Sequence, residues 1–224
     1  MSVSMLTCPA VILFSVQQNM QSITPVVLAA GDSSRMGYPK ALLPLGPDTF
    51  LTHILKTLDT LRLPEARVVL GTHEPAIHPL LLSWRVKVII NPDPAGGQIS
   101  SMRLAAQRLD PTCRGCLIWP VDQPLVSASL VRSLISLFHR SAAPLALPCF
   151  QGRTGHPVVF GRVLIEELLA APPNANPKLI VSRYKSEAAR LMTSESGTVE
   201  DIDTPEDYGK HMGETLAAAL ARRH

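Results

Sequence analysis

Two cations five positions apart, in a loop that follows an apolar run, are the first chemistry this sequence offers. They are Arg35 and Lys40 in "VVLAAGDSSRMGYPK", residues 26–40. Two later clusters carry isolated carboxylates: Asp122 in "VDQP" (121–124), and Asp201 and Asp203 in "DIDTP" (201–205). Cationic side chains and backbone N–H groups hold phosphates, whereas carboxylates hold a hard divalent ion such as Mg²⁺. Together they predict a site for a polyphosphate and its metal. The familiar phosphate loops do not account for it. Gly31 and Gly37 are six apart and Lys40 does not follow the second, so no P-loop is present, and Ser33 stands where a dinucleotide fingerprint needs glycine.

The elements that must position these groups alternate along the chain. Strands are predicted at 24–30, 66–72, 85–92, 114–124, 144–150 and 156–162, with a late one in "TVEDID" (198–203). Helices are predicted at 48–63, 76–84, 100–110 with a serine cap, 127–140 and 162–170, and from Thr204 through to Arg222 and Arg223. Thr204 is a good N-cap and Pro205 fits the first helical position. The stretch 182–193 reads ambiguously. Such alternation argues for α/β: one three-layer α/β/α domain with a mostly parallel sheet. Ligands in such folds gather at the carboxyl ends of strands, where all three polar clusters fall.

Composition narrows the partners. The 224 residues include 21 basic and 18 acidic side chains, for a net charge of +3, too mild to argue for nucleic acid or membrane. Four cysteines do not make a disulfide framework at this length, and the C-x-x-C of Cys113 and Cys116 has no second pair to complete a zinc site. Reduced thiols in a cytoplasm are expected. The apolar "AVILFSV" near the start is too short to span a bilayer, and no Lys or Arg precedes Arg35, which reads against a secretory signal. Residues 1–22 are expected to be an extension or a misplaced start, and 23–224 the domain.

The run from Leu28 to Lys40 matches L-A-A-G-x-S-x-R-M-G-x-x-K, which resembles the signature of nucleotidyltransferases typified by molybdenum cofactor cytidylyltransferase and its guanylyltransferase cousin. "GGQISSMRLAA" (96–106), "VDQP" (121–124), "QGRTGHPVVF" (151–160) and "DIDTPEDY" (201–208) resemble further segments of that family in order and spacing. The resemblance implies a Rossmann-like fold and transfer of a nucleotidyl group to a phosphorylated acceptor, with pyrophosphate released. It implies that Leu28, Ala29, Ala30, Gly31, Ser33, Ser34, Arg35 and Lys40 hold the nucleotide, joined by Ser100 and Ser101. Arg35, Lys40 and Asp122 would be catalytic, Asp122 and Asp203 would hold Mg²⁺, and His156 and Gln123 would meet the acceptor. An attacking phosphate is already ionised near neutral pH, so no general base is required.

Family members reading A-A-G in the first loop tend to use CTP, and those reading G-G tend to use GTP. Ala30 therefore favours CTP. The acceptor by resemblance is molybdopterin, with a molybdoenzyme or its chaperone as a further partner. The chain departs from the family at 171–185, where "APPNANPKLIVSRYK" replaces the usual G-D-x-G-A-R loop. A second reading stays open on that account: a non-catalytic nucleotide- or cofactor-binding module with a regulatory or delivery role.

Overall fold

The computed structural model describes residues 20–172 and 175–223. Ten strands are seen: β1 (Ile23–Ala29), β2 (Pro44–Leu45), β3 (Asp48–Thr49), β4 (Ala66–Leu70), β5 (Val86–Ile90), β6 (Gly115–Pro120), β7 (Leu145–Phe150), β8 (Arg153–Thr154), β9 (Val158–Gly161) and β10 (Ala189–Met192). Eight helices accompany them: α1 (Phe50–Thr60), α2 (Glu74–Leu81), α3 (Gly97–Ala106), α4 (Ala128–Ser141), α5 (Arg162–Ala170), α6 (Pro177–Arg183), α7 (Pro205–Met212) and α8 (Leu216–Ala221).

All but β2 and β3 join one sheet in the order β10-β7-β9-β6-β1-β4-β5, with β8 on β7. β1 pairs in parallel with β4 and β6, β4 with β5, and β7 with β10, while β9 runs antiparallel between β6 and β7. Every residue of β1 and β6 is buried, as a strand covered on both faces must be. Alternate β1 residues enter two cores. Ile23, Val27 and Ala29 face α1, α2 and α4, while Val26 and Leu28, with Ala30 just past the strand, face α3 and α5. The mostly parallel, three-layer architecture is the one the alternation predicts.

Four of the departures from the sequence reading have a plain local reason. Asp48 and Thr49 pair with β2, so α1 starts at Phe50 behind a reciprocal Thr49–Thr52 capping box. α3 begins at Gly97 after the Pro94–Gly96 turn, so Ser100 and Ser101 lie inside the helix and cap nothing. Residues 199–203 form no strand; they are a connector whose Ile202 N–H donates to Asp122 O (2.9 Å). The last helix stops at Met212, where Gly213 takes a left-handed conformation (φ 73°), and a separate α8 follows. At the other end the fold already includes Met20, which is buried in the core, and Ser22, whose carbonyl accepts from Arg114 N–H (2.9 Å).

Candidate active site

The chain runs outward from β1 through β4 to β5, then crosses back to β6 on the other side of β1. Strand order reverses there, and the crevice at the carboxyl ends of β1 and β6 is where such sheets take ligands. A cleft of about 370 Å³ opens at that point. Its walls include Leu28, Ala29 and Ala30 from the end of β1, Gly31, Ser33, Ser34, Arg35 and Lys40 from the following loop, Asp122 after β6, Asp203 before α7, and Ser101 on α3.

Local bonding fixes the loop after β1. Ser33 adopts a left-handed conformation (φ 55°), and its carbonyl accepts from the N–H groups of both Met36 and Gly37 (3.0 Å each). Met36 is buried at 3% exposure and pins the turn to the core. The loop then folds back, with Lys40 N–H donating to Ser33 Oγ (3.1 Å). Asp32 closes its own small turn by accepting from Ser34 N–H (3.2 Å). Lys40 is thereby presented at the mouth of β1 by backbone bonds that do not involve its ammonium.

The two carboxylates are brought to it from remote parts of the chain. Val121 N–H donates to Leu28 O (3.0 Å), and the buried Trp119 donates Nε1–H to the Gln123 carbonyl (2.9 Å), so the segment holding Asp122 is tied at both ends. The Ile202–Asp122 bond lays the last connector alongside. Asp203 then falls just ahead of α7, where the Asp207 carboxylate accepts from Asp203 N–H (3.2 Å) and Thr204 N–H (3.0 Å).

Four charges meet as a result. Lys40 Nζ donates to Asp122 Oδ2 (3.1 Å) and also to Asp203 Oδ1, and Arg35 Nη2 donates to Asp203 Oδ2 (2.8 Å). Burial opposes the charge on Lys40, but Asp122 and Asp203 outweigh it and raise its pKa above the ordinary lysine value. Burial likewise opposes the charge on Asp203, yet Lys40 and then Arg35 hold its carboxyl below the usual range. Both stay charged near neutrality. Arg35 differs from Lys40 in access: its side chain is 69% exposed against 14%. One is an exposed arm with a single ion pair, the other a fixed post.

The pair Asp122 and Asp203 suits a hard divalent cation. Both direct a carboxylate oxygen at one point, which Lys40 Nζ marks by reaching the two at once. Carboxylate oxygens are the donors such a cation takes. Among the described residues no group of three or more His, Cys, Asp or Glu could hold a metal. Cys113 and Cys116 are buried free thiols, and burial pushes the Cys116 thiol far above its ordinary value.

Known proteins resemble this chain over most of its length. The molybdenum cofactor cytidylyltransferase of Escherichia coli is 27% identical over 193 residues, covering 84% of this chain and 95% of that protein. A "probable molybdenum cofactor guanylyltransferase" of Rhodopirellula baltica is 31% identical over 195 residues, covering 82% and 89%. Rv0371c of Mycobacterium tuberculosis superposes with a TM-score of 0.75 at 26% identity, over 86% of this chain and 97% of that one, and its manganese complex with 0.72 at 25%, over 85% and 98%. The description "MobA-like NTP transferase domain" matches residues 25–189.

The chain belongs to the MobA-like NTP transferase family. It is a nucleotidyltransferase, which selects between the two readings the sequence left open.

Within that family frame, not every residue singled out in the sequence reaches the cleft. Ser101 lines it but Ser100 does not: the Ser100 hydroxyl is engaged with the Asp93 and Gly97 carbonyls (2.9 Å each). Gln123 and His156 also lie off the wall. Gln123 is 4% exposed and donates Nε2–H to Asp201, which explains that carboxylate without a metal. His156 sits behind the site, its N–H donating to Thr198 O (2.8 Å). Burial lowers its pKa, against a partial upward pull from Asp122 and Asp201, so it is neutral at pH 7. Of the departing segment, Asn174 lies outside the described residues, and Asn176 caps α6 by accepting from Lys178 N–H (2.9 Å).

Sequence reasoning passed over His73. It lines the cleft, and its Nε2 meets the Asp32 carbonyl (2.7 Å), which can only accept, so Nε2 carries the proton. The signal was available. Gly71-Thr72-His73 directly follows β4, a parallel strand beside β1, where the carboxyl-end rule applies as it does to Asp122.

Proposed function

We propose that this protein transfers a nucleoside monophosphate, CMP rather than GMP, from a metal-bound nucleoside triphosphate to a phosphorylated acceptor of the molybdopterin class, releasing pyrophosphate. The observation that supports this best is the closure of Lys40 and Arg35 onto Asp122 and Asp203 in one cleft. Phosphoryl-type transfer needs little covalent chemistry from protein; positioning and charge neutralisation supply most of the rate. Lys40 is the fixed cation beside the transferring phosphorus. Arg35 is exposed and able to follow the pyrophosphate as negative charge builds on it. Asp122 and Asp203 would hold the divalent ion, which when bound supplies Lewis-acid neutralisation of the phosphates.

Ala30 supports CTP. It is 6% exposed at the cleft wall, and its backbone is hemmed in by Gly71, at which any Cβ would come within 2.4 Å of Ala30 O. That close approach ties the Ala30 backbone to the chain after β4 and keeps its methyl at the wall. The acceptor assignment draws on the molybdenum cofactor relatives, and a cytoplasmic setting accords with it.

Pyrophosphate release, measured with each of the four NTPs and molybdopterin in the presence of Mg²⁺ or Mn²⁺, tests the reading. Release is expected with CTP above GTP, to need the metal, and to be lost in Asp122→Asn. Metal-independent release, or unchanged activity in D122N, would remove Asp122 as a ligand. A clear preference for GTP would overturn the base assignment.

A further inference from the structure

The carboxyl end of β5 carries an amide that the proposed reaction has not used. Asn91 is 3% exposed, and its polar capacity is spent locally. Its Oδ1 accepts from Asp93 N–H (2.9 Å), while Nδ2 donates to Ser100 Oγ (2.8 Å) and to Ser101 Oγ (2.9 Å). An amide nitrogen can only donate, so both serine oxygens are acceptors in these contacts. Each serine keeps one proton to place.

The two protons go different ways. Ser100 gives its proton to the Asp93 or Gly97 carbonyl (2.9 Å each). For Ser101, no described residue accepts within hydrogen-bond distance, although the side chain is only 4% exposed and forms part of the cleft wall. With Asn91 occupying its lone-pair side, the Ser101 O–H is left to point into the cleft. The network, not an observed hydrogen, makes this assignment. Around Ser101 the wall consists of Pro94, Gly97 and Gln98, which carry no charge, whereas the cations stand at Arg35 and Lys40. A neutral nucleoside suits the first region and a triphosphate the second.

We infer that Asn91 is a positioning residue: it fixes the polarity of Ser101 so that this hydroxyl donates to an acceptor atom on the base or ribose of the bound nucleotide, while Ser100 serves only the loop. This rests on the nucleotide site proposed above. Asn91 acts through Ser101, and the two should therefore be energetically one unit.

A double-mutant cycle on nucleotide affinity tests it, with Kd for CTP and Mg²⁺ measured by titration calorimetry and thermal unfolding recorded for every variant. Asn91→Asp keeps the shape and the acceptor for Asp93 N–H but replaces the donor with a second acceptor, so both serine hydroxyls turn toward it and Ser101 offers the cleft a lone pair. Ser101→Ala is expected to raise Kd about fivefold, the worth of one neutral hydrogen bond, and Ser100→Ala to leave it within about twofold. N91D should raise Kd at least as much as S101A in the parent protein, yet change it by less than about twofold in the S101A background. Equal losses from N91D in both backgrounds would overturn the inference, because they would report a misplaced charge or a distorted loop. If the parent protein binds no nucleoside triphosphate at all, the proposed function falls and this inference with it; if it binds and the cycle is additive, only the inference falls.

Discussion

Lys40→Ala separates the proposed role of the lysine from a merely structural one, because its environment sets the two effects far apart. The ammonium is 3.1 Å from Asp122 and closer to Asp203. At that distance one ion pair is worth about 5 kcal/mol gross at an effective dielectric of about 20. Desolvation opposes it, since the side chain is only 14% exposed, and the net contribution of such a pair to folding is on the order of 1 kcal/mol. The turn itself does not depend on the ammonium. Lys40 N–H is held by Ser33 Oγ and the neighbouring Ala41 is buried, so truncation to alanine leaves the loop anchored. Truncation removes two such pairs, about 2 kcal/mol in all, so thermal unfolding should shift by no more than about 4–8 °C for a chain of this length. Catalysis should suffer far more. Removing a preorganised donor that meets developing charge costs about 2–4 kcal/mol of transition-state stabilisation, or roughly 30- to 900-fold in kcat/KM. The assay is pyrophosphate release under subsaturating nucleotide, run beside a melting curve. A loss under tenfold with an unchanged melting temperature would refute the role assigned to Lys40. A large loss accompanied by a collapse in stability would refute the claim that its loop stands without it.

Two further outcomes follow from packing and from burial. A Cβ on Gly155 would lie 1.8 Å from Thr198 O, a backbone atom that no rotamer change can move away. Gly155→Ala should then cost at least about 3 kcal/mol, the upper end of overpacking penalties, and lower the melting temperature by roughly 6–12 °C; a shift under about 2 °C would show that the 153–156 turn is not pressed against the 196–198 turn. His156 gives a pH signature. Burial depresses its pKa below the ordinary 6.5, so the unfolded chain binds its proton first and stability is full above about pH 6.5 and declines as pH falls below it. His156→Gln should flatten that decline between pH 7.5 and 5.5 in denaturant titrations, and a parallel slope in both proteins would contradict the burial argument.

Much of this architecture was legible because burial imposes a pattern on single strands. "TPVVLAA" and "GCLIWP" are continuous apolar runs since both faces of β1 and β6 are covered, and α4 shows its stripe of Leu130, Val131, Leu134, Ile135 and Phe138 in the spacing alone. The N-terminus of α7 was legible for the same kind of reason: the Thr204 and Asp207 side chains accept from each other's N–H, and Pro205 at the first helical position has no N–H to leave unpaired. The misreadings occurred where the deciding partner is distant or was passed over. "TVEDID" has strand-like composition, but Val199 and Ile202 are three apart rather than two, and the segment's backbone is claimed by Asp122 instead of a sheet neighbour. Gly213 carries a stop signal that the sequence reading did not use. Ser100 and Ser101 resembled caps because the turn that starts α3 earlier depends on Asp93 accepting from Gly96 N–H (3.1 Å).

The convergence of the site could not be read from spacing, and its physical consequence is the least expected part. Arg35 and Lys40 lie 168 and 163 residues from Asp203, and tertiary ties such as the β6–β1 pairing, the Ile202–Asp122 bond and the Tyr208 hydroxyl donating to Pro44 O bring them together. Once assembled, two cations and two carboxylates make a cluster with no net charge. A bare triphosphate entering it would gain the cations only by stripping them from Asp122 and Asp203, and would leave those carboxylates facing its own negative charge. A divalent ion arriving with the nucleotide removes that conflict under the proposed reading, because it gives the carboxylates a new partner as Lys40 turns to the phosphates. Under that reading the carboxylates would do more than attract a metal. They would make the cleft a poor host for nucleotide without one, so the same four residues that would lower the barrier to transfer would also discriminate between a productive complex and an idle one.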